Sequence, residues 1–450
     1  MRIRIQISRR LWRTLAAIAI SGIGLQANAT DMLEVYRLAE QNDPTYEAAK
    51  HGLEVAKEKI PQARAGNLPT VNLTSNRNFT DANASFNYAQ PTNQGVLAWT
   101  WTLQMTMPLV RPQNVIASFE SEYLVDAAQF DYALAQQDMI MRVAQAYFDV
   151  LVAQEVAKAA EAQLHAMQAQ QSVAKRGYEL GTMSITDSQD ARAKSEQSRA
   201  QLFTAQNDIE NKLAILEKVT GKPINILAGL NSSVVTPMPE PSDARQWMER
   251  AKDNNLAVRS QQASLRSAGY TVSKSRAANM WTLDFVASTG TNYSSGSVVL
   301  PTPYESRVKS NVAGVQFAMP VFEGGLNSSH IREAIAGRDK LAAQLEETRR
   351  KAGADARQAY ADVINGLSQT DALQSAVESG EISVKGNQAG YKLGIRINSD
   401  VLNAQQQLFA SKRDLVKARY DTLLAGLKLK AAVGVLSEAD LMGINGLLVR

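Results

Sequence analysis

Gly177-Tyr178-Glu179-Leu180-Gly181 and Gly390-Tyr391-Lys392-Leu393-Gly394 are near-copies set 213 positions apart. The same offset carries Ala146-Tyr147-Phe148-Asp149-Val150 onto Ala359-Tyr360-Ala361-Asp362-Val363, Asp187 onto Asp400, and Gly221 onto Gly434. An offset of 212 carries Asn67-Leu68 onto Asn279-Met280 and Met107-Pro108 onto Met319-Pro320. One long unit is therefore written twice. Repetition at this scale points to an architecture rather than to a single catalytic pocket.

Each glycine pair interrupts a very long helical run. From Pro112 to about residue 178 there is no further proline, and no glycine before Gly177. Some 65 residues at ~1.5 Å each make about 100 Å of helix. Ala127, Leu134, Met141 and Phe148 recur every seven, with Phe130, Ala144 and Leu151 at the companion positions. This spacing predicts left-handed, coiled-coil-like packing. Gln137 intrudes on the seam, and the alanines of residues 153–169 keep it shallow, which suits helices lying side by side in a broad array. The break at 177–186 predicts an antiparallel neighbour over 187–220, ended by Gly221. In the second half the long helix reaches about residue 389, the break covers 390–398, and a last helix spans 399–432. There Val401, Leu408, Leu415 and Leu429 keep heptad spacing, broken by Thr422, with the small residues Ala404, Ser411, Ala418 and Ala425 between.

Upstream of each long helix the period falls to two. Leu97, Trp99, Trp101, Leu103, Met105, Met107 and Leu109 alternate with Ala98, Thr100, Thr102, Gln104 and Thr106. Such a run is longer than an ordinary strand and fits a tilted membrane strand with its ends. Val71 and Leu73, Leu283 and Phe285, and Val315, Phe317, Met319 and Val321 supply three more apolar edges. The polar stretch 75–95 is expected to be an exposed loop with adjoining strand ends, and the stretch 286–303 a loop. Helices are expected over 31–65, broken near Asp43-Pro44, and over 242–278. Glu323-Gly324-Gly325 is expected to turn strand into helix, where the first half has Pro112-Gln113.

Residues 1–29 read as a secretory signal peptide, with Arg2, Arg4, Arg9, Arg10 and Arg13 ahead of an apolar run and a cleavage site at Ala27-Asn28-Ala29. The chain has 48 basic and 44 acidic residues. Without those arginines the balance is 43 to 44, so a nucleic-acid partner loses its electrostatic support. There is no cysteine, so packing alone must hold the exported chain. The expected organisation is signal peptide 1–29, first repeat 30–221, linker 222–241, second repeat 242–434 and tail 435–450.

Four strands cannot close a membrane barrel, and an open edge is forbidden in lipid, so several chains must share one barrel. The other reading is a soluble periplasmic coiled-coil adaptor or scaffold; adaptors need a β-rich soluble domain, which the lipid-like strand faces argue against. His51, His165 and His330 are scattered, and no metal, nucleotide or hydrolase motif appears, so neither cofactor nor catalysis is expected.

The chain resembles the TolC family of trimeric outer-membrane efflux and type I secretion channels. The resemblance rests on Tyr391-Lys392-Leu393-Gly394-Ile395-Arg396-Ile397-Asn398-Ser399-Asp400-Val401-Leu402-Asn403-Ala404, on Ala418-Arg419-Tyr420-Asp421, and on Ile185-Thr186-Asp187-Ser188-Gln189-Asp190-Ala191-Arg192-Ala193. It covers both halves, residues 31–448. It implies a mixed α/β membrane protein: helical hairpins forming an α-barrel, joined to an outer-membrane β-barrel that three subunits share with four strands each. It implies a periplasmic adaptor and an inner-membrane ABC or proton-driven exporter as partners, with drugs or secreted proteins as cargo. Asp400 matches an acidic ring at the periplasmic constriction, and Asn403 stands where the family has a second aspartate. Asp187, Arg396 and Tyr391 match gate contacts, with Arg396 expected to pair with Asp187. Gly177, Leu180, Gly181, Gly390, Leu393 and Gly394 match tips that meet the adaptor.

Overall fold

The computed structural model describes residues 29–85, 92–224, 226–230, 237–297 and 304–449. Apart from Ala29, the expected signal peptide lies outside them. Helices α1 (Met32–Asn42), α2 (Pro44–Lys57) and α3 (Lys59–Ala65) lead into strands β1 (Thr70–Ala84) and β2 (Thr92–Val110). Then come α4 (Pro112–Glu179) and α5 (Ile185–Thr220), and the short β3 (Gly229–Leu230). The order returns with α6 (Ala244–Asn254), α7 (Leu256–Ala277), β4 (Thr282–Ser294), β5 (Ser306–Ala318), α8 (Leu326–Lys392) and α9 (Asn398–Ala432). The chain closes with α10 (Glu438–Asn445) and β6 (Leu448–Val449). The expected helix over 242–278 is two, because the Asn255 side chain accepts from the N–H groups of Ala257 and Val258 and starts a new helix.

One antiparallel sheet has the order β1-β2-β4-β5, so the two halves meet through β2 and β4. Its register puts Leu73 beside Leu103, Met107 beside Phe285, and Phe285 beside Val315. The alternating apolar residues of all four strands thus share one face, while Thr, Asn, Ser and Gln dominate the other. Among the described residues the strands reach further into both polar stretches than expected: β1 runs through Ala84, β2 starts at Thr92 and β4 reaches Ser294. Backbone pairing extends those strands beyond the reach of their apolar pattern. At the helix end a bulge leaves Leu109 unpaired and places Val110 opposite Leu283. Leu109 therefore leaves the apolar row, as bulges re-aim side chains. Met319 and Val321 lie past the end of β5 and are exposed.

α4 has 68 residues and α8 has 67. At ~1.5 Å per residue each is about 100 Å long. α7 packs along the strand-proximal part of α4, α5 along its distal part, and α9 along α8. Midway, Met139, Ile140, Val143, Tyr147, Phe148 and Leu151 of α4 bury against α1, the end of α5, α9 and α10 in the largest core cluster. The linker takes part: Leu227 bridges to Thr30, β3 pairs with β6, and the Tyr147 hydroxyl donates to Ala228 O at 2.8 Å. Buried Asp43 pairs with Arg142 and ties α2 to this collar. Burial pushes the Asp43 carboxyl up, but the Arg142 guanidinium and the Thr45 N–H outweigh it and hold it below its usual value. Gln137, an apparent intruder, is buried and donates to Leu436 O at 3.1 Å. Among the described residues no helix is long and apolar enough to cross a membrane.

Candidate functional site

Both tips use one backbone device. α4 and α8 continue through Gly177 and Gly390, so the breaks shrink to residues 180–184 and 393–397. Gly177 O accepts from the N–H groups of Thr182 (2.8 Å) and Met183 (3.2 Å). Gly390 O accepts from those of Ile395 (2.9 Å) and Arg396 (3.2 Å). A Cβ on Gly177 would lie 2.6 Å from Met183 Sδ, and one on Gly390 2.8 Å from Arg396 Cγ. Gly181 and Gly394 adopt φ +72°, where a side chain clashes with its own backbone. The first glycine of each pair permits close approach and the second permits the left-handed turn. Leu180 and Leu393 stand exposed at the two apices.

Beyond the turns the copies diverge, and the aspartate pair Asp187 and Asp400 is kept in different surroundings. Ser184 caps α5: its Oγ accepts from the Asp187 N–H at 3.1 Å, and the Asp187 carboxylate accepts from the Ser184 N–H at 3.3 Å and its Oγ at 2.7 Å. The second copy has Ile397 in place of that serine, and α9 starts without a side-chain cap. Asp400, the counterpart of Asp187, lies instead 3.7 Å from Arg396 Nη1. Within the chain Arg396 lies beside Asp400, while one oxygen of the Asp187 carboxylate is taken up by the capping box.

Asp187, Tyr391 and Arg396 nevertheless line one cleft of about 650 Å³ between the tips, together with Gly177, Gly181, Gly394, Met183 and Asn398. The Tyr391 hydroxyl donates to Met183 Sδ at 3.1 Å. Burial, and then the Asp187 charge, push its pKa above the usual phenol value, so it remains a donor. Below the cleft, Met167, Ala174, Ala191 and Leu402 form a small core. Gln170 Nε2 donates to the Oδ1 of buried Asn398. Asn403 is exposed. Gly324 and Gly325 lie outside this cleft, at φ +62° and +87°, where β5 passes into α8.

Two ion pairs escaped the sequence reading. Arg111, between β2 and α4, binds Asp284 of β4 through Nε at 2.9 Å and Nη2 at 2.7 Å, tying the strand–helix passage of one half to the sheet of the other. Glu120 of α4 joins Lys274 and accepts from Thr271 Oγ1 at 2.7 Å. A lone acid such as Asp284 inside an alternating strand is a sequence signal for a partner, but the sequence does not say which residue supplies it.

The sequence profile of the "Outer membrane efflux protein" family matches residues 35–222 and again 247–435. The outer membrane protein TolC of Escherichia coli strain K12 is 29% identical over 447 residues, covering 98% of this chain and 89% of that protein. The proteases secretion protein PrtF of Dickeya chrysanthemi is 26% identical, covering 95% of this chain and 93% of its own. The CmeC outer membrane channel of Campylobacter jejuni superposes with a TM-score of 0.76 at 16% identity, covering 99% of this chain and 98% of that one.

Proposed function

Because the chain belongs to the outer membrane efflux protein family, we propose that three copies join their sheets into one twelve-stranded barrel, with the helices as a tube beneath it. The protein is an outer-membrane channel for efflux or type I secretion, and its long helical region lies in the periplasm. The observation that carries the shared barrel is the sheet itself. It has an apolar face, and β1 and β5 keep free edges among the described residues. Unpaired backbone groups cannot face lipid, so further copies must cover them. The repeats 30–221 and 242–434 are then the two halves of each wall segment, 222–241 and 435–450 the parts that brace them, and 1–29 the export signal.

On this reading a periplasmic adaptor meets the tips at Gly177, Leu180, Gly181, Gly390, Leu393 and Gly394. An inner-membrane ABC or proton-driven exporter supplies the energy and chooses the cargo, drug or protein. Asp187, Tyr391 and Arg396 hold the periplasmic end shut. Asp400, with Asn403 one turn on, sets the charge of the constriction. The mass of the detergent-purified particle tests the barrel: three chains are expected, and a monomer or dimer overturns it.

A further inference from the structure

The apolar face of the sheet changes character at its far end. Register places Arg77 beside Trp99, Trp99 beside Tyr293, and Tyr293 beside Arg307, one residue from each strand. Lys309 lies two residues from Arg307 on the same face, opposite Thr291. At the helix end that face carries Leu283, Phe285, Val315 and Phe317, with Trp281 stacked on Phe317 at 5.9 Å. Ten residues separate Tyr293 from Leu283. At ~3.3 Å per residue and a tilt of about 40°, that is about 25 Å of height, the thickness of the apolar band of an outer-membrane barrel. The two ends are thus aromatic girdles, and only the far one carries cations outward.

Charges are tolerated on a lipid face only near its interfaces, and there they meet headgroups. Arg77, Arg307 and Lys309 make no ion pair among the described residues; the Arg307 guanidinium sits 6.0 Å from the centre of the Tyr293 ring. Asp81 follows further out, and Glu305 interacts with the Tyr293 side chain beside Arg307, which leaves Arg77 and Lys309 as the cations with no acid facing them among the described residues. Arg77 lies on one free edge of the sheet, and Arg307 and Lys309 on the other, so closure by further copies joins the basic edges at each seam.

We propose that these seams bind the phosphate groups of anionic lipid in the outer leaflet, with Arg77 of one copy and Arg307 and Lys309 of the next holding the headgroup beside the aromatic girdle. The proposal rests on the shared-barrel reading, which particle mass tests separately. The probe is the purified trimer in vesicles of neutral phosphatidylcholine doped with a phosphorylated glycolipid, or with the same glycolipid dephosphorylated. Lipid retained by the trimer after detergent extraction is counted by native mass spectrometry. Wild type is expected to retain the phosphorylated form preferentially. Replacing Arg77, Arg307 and Lys309 by Gln should weaken retention by roughly fivefold per charge removed, with particle mass unchanged. Arg77→Lys with Arg307→Lys should keep most of it. If the triple variant fails to assemble, Arg77→Gln alone serves, since a loss confined to phosphorylated lipid is again expected. Equal retention of the two lipids by wild type, equal retention by wild type and a Gln variant, or displacement of the lipid by inorganic phosphate at millimolar concentration would overturn the proposal.

Discussion

Arg396 lies 3.7 Å from Asp400 one helical turn on, and the helix that carries Asp400 starts without a capping side chain. Ser184 in the first copy forms a capping box with Asp187, and Ile397 in the second leaves Asp400 without one. The Arg396 and Asp400 side chains are 59% and 35% exposed, so the pair is worth at most about 1 kcal/mol per subunit. In the proposed trimer, three copies moving together would bias a closed end by a few kcal/mol. Arg396→Ala should therefore raise single-channel conductance, as should Asp400→Ala, and the double variant should add less than the sum. Arg396→Ala combined with Asp187→Ala should be closer to additive if the 3.7 Å contact is the one that matters. The reverse pattern, with Asp187 coupled and Asp400 not, would give the latch to a contact between hairpins of different subunits.

At the scale of the element, α9 shows why a heptad does not specify its own partner. Val401, Leu408, Leu415, Thr422 and Leu429 are all buried, so the stripe faces the bundle throughout. Thr422 interrupts the apolar series because Gly366 of α8 packs directly against it. A Cβ on Gly366 would lie 2.4 Å from Thr422 Oγ1. The hydroxyl also donates to Ala418 O at 2.7 Å. Thr422→Leu would complete the heptad, yet it should destabilise by about 1–3 kcal/mol through overpacking. A lowered melting temperature of the purified trimer checks this; an unchanged or higher one would show that the helices separate freely. The strands carry the same lesson: residues 76–84 lack a long apolar edge and still pair with β2 along their whole length.

At the scale of the whole molecule, length organises everything. About 100 Å of helix places the tips far from the sheet, and the collar at Met139–Leu151 divides the tube near its middle. Asp400 lies in the first turn of α9, at the tip distal from the sheet, where the proposed channel would take in its cargo. In the proposed trimer three such carboxylates would meet at a narrow opening and favour cations. Asp400→Asn should lower cation-over-anion selectivity in planar bilayers by a few-fold without changing particle mass. Asn403→Asp should raise it by adding a second ring of charge. Selectivity indifferent to both would place these side chains away from the lumen.

The sequence by itself determined the doubling, the long helices, the alternating strands and the two glycine-marked turns. Each follows from local rules: period, helix breakers, and a backbone angle that only glycine adopts freely. Even the tip residues Asp187, Tyr391 and Arg396 were legible through the repeat and the family resemblance. Tertiary structure alone decided which groups meet. Arg111 finds Asp284 across 173 positions, Gln137 finds Leu436 across 299, and four strands align one basic and aromatic row. Strand register is set by backbone pairing between distant segments, so composition cannot reveal it. Within one chain Arg396 lies beside Asp400, while Asp187 sits in a capping box with Ser184. Both arrangements rest on distances that only the folded tip defines.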